Sequence, residues 1–257
     1  MKKFRKGERK MENFTEYKFC DRFKGYKFTF EGREAEVAFP EKQLDGKPWV
    51  LKAHYNTAFP AVELKLMEAG FARAYLKTAN GWGTDEDNDA KARFCKFLHD
   101  EFGFAEKCVP VGYSCGGMHT VKFTARHPEC VAVMYIDAPV INLLDWPMMV
   151  AHPDIDYRNN AADLYKTYGT DFIGMLSFRD HPLDRLPKVI AAKVPCCMVY
   201  GDDDKVVHWE ENAKLVNEMY ADSGVDFMSV RIPGRDHHPH EPLDFDEVVA
   251  FVMKHIG

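Results

Sequence analysis

Short apolar runs of the kind that form buried strands alternate with longer helical patterns along this 257-residue chain. The apolar run at 107–112, for instance, is followed by a helical pattern at 115–126 and then by a second apolar run at 130–136. Such alternation predicts a parallel sheet, because each helix has to cross back over the sheet to reach the next strand. We therefore expect residues 1–257 to form a single α/β domain, with a mostly parallel central sheet flanked by helices. Further strands are predicted at 26–31, 34–39, 48–54, 71–76, 194–200 and 226–232, and further helices at 62–69, 85–102, 210–220 and 244–256.

Two segments depart from this alternation. Residues 1–14 begin with a run of lysines and arginines, which is typical of a solvated, frayed terminus. Residues 138–188 mix prolines, aromatic residues and charges, and the stretch is too long for a plain connection. We expect it to form a small cap of short helices inserted into the domain.

The charge balance limits the classes of partner. The formal net charge is −6, whereas nucleic-acid binding is driven by clustered lysines and arginines. No apolar stretch approaches the roughly 20 residues needed to span a bilayer, and no apolar run follows the basic start as in a secretory signal. The seven cysteines form no C-x-x-C pair, which favours reduced thiols. We expect a cytoplasmic protein that binds neither nucleic acid nor a membrane, and its oligomeric state stays open.

The segment Gly112-Tyr113-Ser114-Cys115-Gly116 fits the pattern G-x-S-x-G, with a predicted strand before it and a predicted helix after it. A serine on so sharp a turn has its hydroxyl raised above the sheet edge, where it can attack a carbonyl. Small neighbours are needed because strand and helix approach closely and the turn strains the backbone. The pattern also occurs by chance in ordinary turns, so the assignment of Ser114 as a nucleophile depends on an acid and a base further along the chain.

Both residue types follow in suitable places. Asp202, Asp203 and Asp204 come directly after the strand predicted at 194–200, where a carboxylate can orient a histidine. The alternative is that all three only form a turn and a helix cap. His237 follows the strand predicted at 226–232 and is the first choice for the base, with His238 second. The order serine, aspartate, histidine is that of α/β hydrolases and not that of the other two common serine hydrolase types.

Three clustered histidines, His237, His238 and His240, could instead bind zinc or form a surface cluster without a role. Pro239 stiffens the segment, and no separate carboxylate or cysteine ligand is evident. The sequence therefore predicts no metal and no other cofactor.

Acyl transfer requires donors for the negative charge that develops on the carbonyl oxygen. One donor is expected to be the backbone N–H of Cys115, at the start of the helix after the nucleophile. The second is expected from the loop at 53–58, with the N–H of Tyr55 as first choice and Asn56 as second.

From about residue 26 to its end, the chain resembles the α/β-hydrolase superfamily. Within it, three segments are similar to a bacterial group of prolyl-oligopeptidase-like esterases. They are Lys47-Pro48-Trp49-Val50, the turn at 112–116 and the segment 237–240. The resemblance implies that Asp204 is the acid, since it lies three residues after a glycine, and that His237 is the base.

The chain departs from that group at two positions. Cys115 stands where arginine, methionine or glutamine is more usual, and His208 stands where proline is common. Neither change removes a residue of the expected triad, but both bear on the shape of the pocket. Some relatives act on ester groups that decorate plant polysaccharides, which implies a carbohydrate esterase.

The resulting hypothesis is a serine hydrolase that cleaves a small-molecule carboxylic ester, with a small acyl group or a sugar-linked ester, through an acyl-enzyme on Ser114. The many charges at 138–188 suit a polar ester better than a long-chain lipid. A peptidase or a thioesterase of the same fold is an alternative, and so is a catalytically inactive binding module. Trp82 and Trp146 are candidates for the substrate-binding wall, although packing of a loop is the other interpretation for Trp82.

Overall fold

The computed structural model describes residues 12–145 and 158–256. Its described strands form a single nine-stranded sheet in the order β1-β2-β3-β5-β4-β6-β7-β8-β9. Three pairs at one edge are antiparallel, namely β1-β2, β2-β3 and β3-β5. The five remaining pairs are parallel. The predicted α/β fold with a mostly parallel sheet is confirmed. The strands are β1 Glu12–Phe19, β2 Phe23–Phe30, β3 Arg33–Ala38, β4 Trp49–Lys52, β5 Ala72–Leu76, β6 Val109–Tyr113, β7 Met134–Asp137, β8 Cys196–Gly201 and β9 Phe227–Ile232.

Helices cover both faces of this sheet, and the alternating side chains of each strand pack against them. One face buries residues of β4 and β6 with α1 and α8, while the other packs against α2, α3, α6 and α7. The described helices are α1 Ala61–Glu68, α2 Asp85–Phe102, α3 Cys115–Arg126, α4 Arg158–Tyr168, α5 Phe172–Ser177, α6 Pro182–Ala191, α7 Ala213–Ala221 and α8 Phe245–Lys254. Fully burying one apolar side chain in such a layer contributes about 1.5–3 kcal/mol.

Local sequence signals explain where several elements begin and end. Helix α2 has three acidic residues in its first turn, and their negative charges interact favourably with the positive end of the helix dipole. The helix ends at Gly103, which has a φ of 65°. Strands β2 and β3 are joined by Glu31 and Gly32, both with positive φ, which is the twist that a two-residue hairpin requires.

Two predicted boundaries change. Strand β1 begins at Glu12 and pairs with β2, so the predicted frayed segment 1–14 overlaps a strand, while residues 1–11 lie outside the described part. Helix α6, which fell within the predicted cap at 138–188, packs against α3 and buries Leu186 and Val189 in the main core. Periodicity alone does not distinguish a short cap helix from a crossover helix of the main layer.

Of the predicted cap, α4 and α5 have a different position. Leu164 and Met175 pack with Trp82, Cys115 and Met118, next to the carboxyl-terminal end of β6. These two helices therefore lie beside the residues that follow the central strands.

In the described parts of the chain, no helix combines the length and the apolar character needed to cross a membrane.

Candidate active site

Ser114 occupies a strained turn between β6 and α3. Its φ of 52° and ψ of −121° lie in a region that residues with a side chain rarely adopt. A Cβ on Gly112 would lie 2.1 Å from the carbonyl oxygen of Gly116, so only glycine fits there. The Ser114 N–H donates to the carbonyl of Asp137 at 2.9 Å, and Val140 N–H donates to the Ser114 carbonyl at 3.0 Å. Neighbouring backbone thus holds the turn in place.

The loops after β8 and β9 bring an acid and a base to this serine, because the carboxyl ends of parallel strands lie at one edge of the sheet. His237 Nε2 lies 3.1 Å from Ser114 Oγ, and His237 Nδ1 lies 2.8 Å from Asp204 Oδ2. All three side chains are buried. The second carboxylate oxygen of Asp204 accepts the N–H groups of Val206 and Val207 at 2.9 and 2.8 Å, which fixes its orientation.

The loop after β8 that carries Asp204, residues 202–207, is here called the acid loop. Its two other aspartates bind groups other than His237. Asp202 accepts hydrogen bonds from the Arg231 guanidinium and from the N–H of Gly234, and Asp203 pairs with Lys205. Among the three, Asp204 is the one hydrogen-bonded to His237. This is the choice that the resemblance implied.

The segment that carries His237, residues 233–240, is here called the His237 loop, and a buried ion pair anchors it. Arg235 donates to both carboxylate oxygens of Asp137, at 2.6 and 3.3 Å, and to the carbonyl of Glu241 at 3.1 Å. A Cβ on Gly201 would lie 2.0 Å from the carbonyl oxygen of Arg235, so the end of β8 also requires glycine. Sequence reasoning missed Asp137 and Arg235, since a lone aspartate at a strand end carries no distinctive signal.

The segment that carries Tyr55, residues 53–60, is here called the Tyr55 loop, and it follows β4, the neighbour of β6. The phenolic hydroxyl of Tyr55 lies near the Cys115 thiol and the Ser114 hydroxyl, since both groups act on its pKa. Although 38% of Tyr55 is exposed, its hydroxyl end is desolvated, and this together with the nearby thiol raises the pKa of Tyr55 well above its usual value. The phenol therefore stays protonated at neutral pH and can donate a hydrogen bond.

The backbone N–H of Tyr55 stays the predicted second donor, and the side-chain hydroxyl of the same residue is a further candidate. Sequence reasoning selected Tyr55 for its backbone N–H and did not consider its side-chain hydroxyl, whose pKa responds to both Cys115 and Ser114. At Asn56, the second choice, the backbone and side-chain oxygens accept hydrogen bonds from Arg73, which holds this part of the loop in place. The position of a side-chain hydroxyl depends on tertiary packing, which the loop sequence does not show.

Beneath the Tyr55 loop lies a fully buried group of three charges. Glu63 accepts from Lys52 Nζ at 2.5 Å and from Arg73 Nε at 2.8 Å. Lys52 also donates to a backbone carbonyl of the loop at 2.8 Å, and Arg73 donates to Asn56. The two cations thus connect the carboxylate to the loop.

Cys115 is the residue after Ser114 and begins α3, so its N–H lies at a helix N-terminus as expected for a donor. Burial raises the pKa of its thiol to about 11. The thiol is therefore protonated at neutral pH and is a poor nucleophile.

The two tryptophans proposed for substrate binding have different outcomes. Trp82 is 4% exposed, and its indole N–H donates to Asp163 at 2.7 Å. So little exposed surface favours the packing interpretation over a platform for a sugar ring. Trp146 lies outside the described residues.

Three imidazoles gather beside the serine, as the sequence suggested. His237, His238 and His240 each offer a ligand atom, and these atoms lie within 4.8 Å of one another. His237 and His240 are buried, whereas His238 is exposed.

Comparison with known proteins places the chain in a family. The model of the prolyl oligopeptidase family matches residues 69–257. A sequence search among curated proteins finds no match.

Solved structures share the fold at low identity. A puromycin-hydrolyzing peptidase from Mycobacterium tuberculosis is 15% identical with a TM-score of 0.66, over 88% of this chain and 38% of that one. An S-formylglutathione hydrolase from Agrobacterium tumefaciens is 13% identical with a TM-score of 0.62, over 97% of this chain and 100% of that one. Est1E from Butyrivibrio proteoclasticus is 15% identical with a TM-score of 0.57, over 90% of this chain and 96% of that one.

The coverage differs between the two kinds of neighbour. The chain spans little more than a third of the length of the peptidases that it resembles. It spans nearly the whole length of the other two proteins. At these identities the likeness establishes the α/β-hydrolase fold.

Proposed function

Because this chain belongs to the prolyl oligopeptidase family and is a serine hydrolase of the α/β-hydrolase fold, we propose that it cleaves small, polar carboxylic esters through an acyl-enzyme on Ser114. The observation that carries the proposal is the hydrogen-bonded series Ser114–His237–Asp204 on a strained turn. This series supplies the nucleophile, the base and the group that orients the base.

In the first step, His237 Nε2 takes the proton of the Ser114 hydroxyl while Oγ forms a bond to the ester carbonyl carbon. The carbonyl oxygen becomes an oxyanion, which the N–H of Cys115 and the hydroxyl of Tyr55 stabilise. Each such donor is worth about 2.7–4 kcal/mol of transition-state stabilisation. Asp204 holds the imidazole in the productive tautomer and stabilises its cation.

The intermediate then collapses. The bond to the alcohol oxygen breaks, His237 gives its proton to the leaving alcohol, and the acyl group stays on Ser114. A water molecule, deprotonated by His237, attacks the acyl carbon and releases the carboxylic acid together with the free serine.

A polar substrate is supported by the surroundings of the acid loop. A cavity of about 570 Å³ lies between this loop and the segment that follows β7. Five of its six lining residues are polar or charged, which suits a polar substrate better than a long acyl chain. The lining residues are Asn142, Leu144, Asp145, His208, Glu210 and Glu211.

Ester rather than peptide hydrolysis is favoured by the near-complete overlap with the two non-peptidase neighbours. Peptide hydrolysis is the second candidate, because the family model and several solved neighbours are those of peptidases.

The test pairs substrates that share an acyl group and differ in the scissile bond. We expect p-nitrophenyl acetate to be hydrolysed and p-nitroacetanilide, together with a panel of aminoacyl p-nitroanilides, to show no turnover above that of a Ser114→Ala variant. Acetylated and feruloylated sugars and p-nitrophenyl esters of increasing acyl length then define the acyl and alcohol groups. Turnover of an anilide that Ser114→Ala abolishes would establish the peptidase alternative instead.

A further inference from the structure

The histidines beside Ser114 form a cluster that the proposed reaction uses only in part. The rings of His237, His238 and His240 have centroids 4.8–4.9 Å apart in every pair and meet at angles of 66–83°. Three imidazoles at such angles can direct nitrogen atoms toward one shared point. The proposed reaction uses only His237, so it does not explain why His238 and His240 lie beside it.

His240 is the most informative of the three. It is 1% exposed, and neither of its ring nitrogens makes a hydrogen bond. Its Nδ1 lies 3.5 Å from a carboxylate oxygen of Asp137, which leaves Nε2 buried without a partner. A buried nitrogen without a hydrogen bond costs about 1–3 kcal/mol, and a ligand would remove that cost.

The groups behind the rings match those of metal-binding histidines. In metal sites, the imidazole nitrogen that does not bind the ion almost always faces a carboxylate, a backbone carbonyl or a water molecule, which fixes the tautomer. His237 Nδ1 faces Asp204 at 2.8 Å, and His240 Nδ1 faces Asp137 at 3.5 Å. In both residues Nε2 is therefore the atom left to bind an ion.

The three nitrogen atoms have to come closer together to bind one ion, and His238 is the ring that can move. Zinc holds imidazole nitrogens at about 2.0–2.1 Å, so the nitrogens of a tetrahedral site lie about 3.4 Å apart. The three ligand atoms are within 4.8 Å of one another, so they must approach by up to about 1.4 Å. His238 is exposed and is therefore the ring most free to turn toward the two buried ones.

We propose that a Zn²⁺-class transition-metal ion binds to His237, His238 and His240 and inhibits the enzyme reversibly. Binding occupies the lone pair of His237 Nε2, which is the pair that takes the Ser114 proton, so hydrolysis and metal binding exclude each other. The ion is thus an inhibitor and not a resident cofactor. The inhibition rests on the proposed role of His237, whereas the binding does not.

Calorimetric titration with Zn²⁺ tests binding without reference to activity. We expect one ion per chain in the wild type and also in a Ser114→Ala variant, which lacks the competing hydroxyl. His238→Gln, at the exposed ligand, should raise the Kd about tenfold or more. His255→Gln, which changes a histidine that directly follows α8 and pairs with Asp226, should leave the Kd unchanged. Absence of binding, or equal Kd values for the wild type and His238→Gln, would overturn the proposal.

Inhibition is then measured on p-nitrophenyl acetate, with each variant referred to its own metal-free rate. Zn²⁺ should inhibit the wild type at the concentrations at which it binds, EDTA should restore the rate, and His238→Gln should need about tenfold more ion. Binding without inhibition would show that His237 is not a ligand and would overturn the inhibitory role. If the wild type hydrolyses no ester, the proposed function fails, and the calorimetry still decides the metal site.

Discussion

The Tyr55 loop and the His237 loop both reach Ser114, but different kinds of support hold them. The Tyr55 loop rests on a buried carboxylate, Glu63, that pairs with two cations. The His237 loop depends on one ion pair, in which Arg235 grips Asp137 with two donors. The first is a shared network, and the second is a single clamp.

The comparison separates stability from activity. Removing one partner of a buried charge group leaves the others unpaired, which costs far more than loss of an exposed pair. A change in the Tyr55 network should therefore appear mainly in the free energy of unfolding. Loosening of the single clamp should appear mainly in the rate, because His237 must stay aligned with the serine.

The largest effect is expected from Glu63→Gln. It leaves Lys52 buried without a counter-charge and Arg73 with only the more distant carboxylate of Glu36 at 3.8 Å, and burial already lowers the pKa of Lys52. The free energy of unfolding in urea should fall by about 3–5 kcal/mol. Lys96→Ala, which breaks an exposed pair with Asp100, should change it by less than about 1 kcal/mol. Equal losses in the two variants would remove the distinction between the network and an ordinary surface pair.

Tyr55→Phe removes the hydroxyl and leaves the loop in place. If that hydroxyl stabilises the oxyanion, kcat should fall about 10²–10³-fold, or about 2.7–4 kcal/mol. The free energy of unfolding should stay within about 0.5 kcal/mol of the wild type. Tyr26→Phe on β2 serves as the matched control and should leave kcat unchanged. A Tyr55→Phe enzyme with the wild-type kcat would return the donor role to the backbone.

Arg235→Lys keeps the positive charge but cannot make two parallel hydrogen bonds to Asp137. The His237 loop should shift, and a shift of about 1 Å can lower kcat by up to about 10²-fold, with KM little changed. Arg231→Lys is the control, because Arg231 also grips an aspartate with two donors but is exposed. A similar loss of kcat in both variants would argue against the clamp.

The smallest effect concerns acid sensitivity of the Tyr55 loop. Burial and the charge of Lys91 lower the pKa of His54 to about 4. Between pH 6.5 and 4, the unfolded chain gains a proton at this histidine while the folded chain does not, so stability falls as the pH falls. His54→Gln should make that loss smaller by about 2 kcal/mol, as measured by urea unfolding at pH 7 and at pH 4.5. An unchanged pH dependence would show that His54 is not a source of the sensitivity.

Sequence reasoning located the order of strands and helices and the loops that carry Ser114, Asp204 and His237. These features follow from apolar periodicity and from the rule that parallel strands end at one edge. The supports of the two loops could not be found in this way. Glu63 and Arg73 lie in a helix and a strand that are separate from the loop they hold, and only the fold brings them together. The position of the Tyr55 hydroxyl could not be predicted either, because it depends on the conformation of the whole loop.

The central claim is that Ser114 is an activated nucleophile, and covalent labelling tests it most directly. A fluorophosphonate probe should add one probe mass per chain to the wild type, peptide mass spectrometry should locate it on Ser114, and Ser114→Ala should remain unlabelled. An unlabelled wild type would favour an inactive binding module, and equal labelling of the Ser114→Ala variant would assign the nucleophile to another residue.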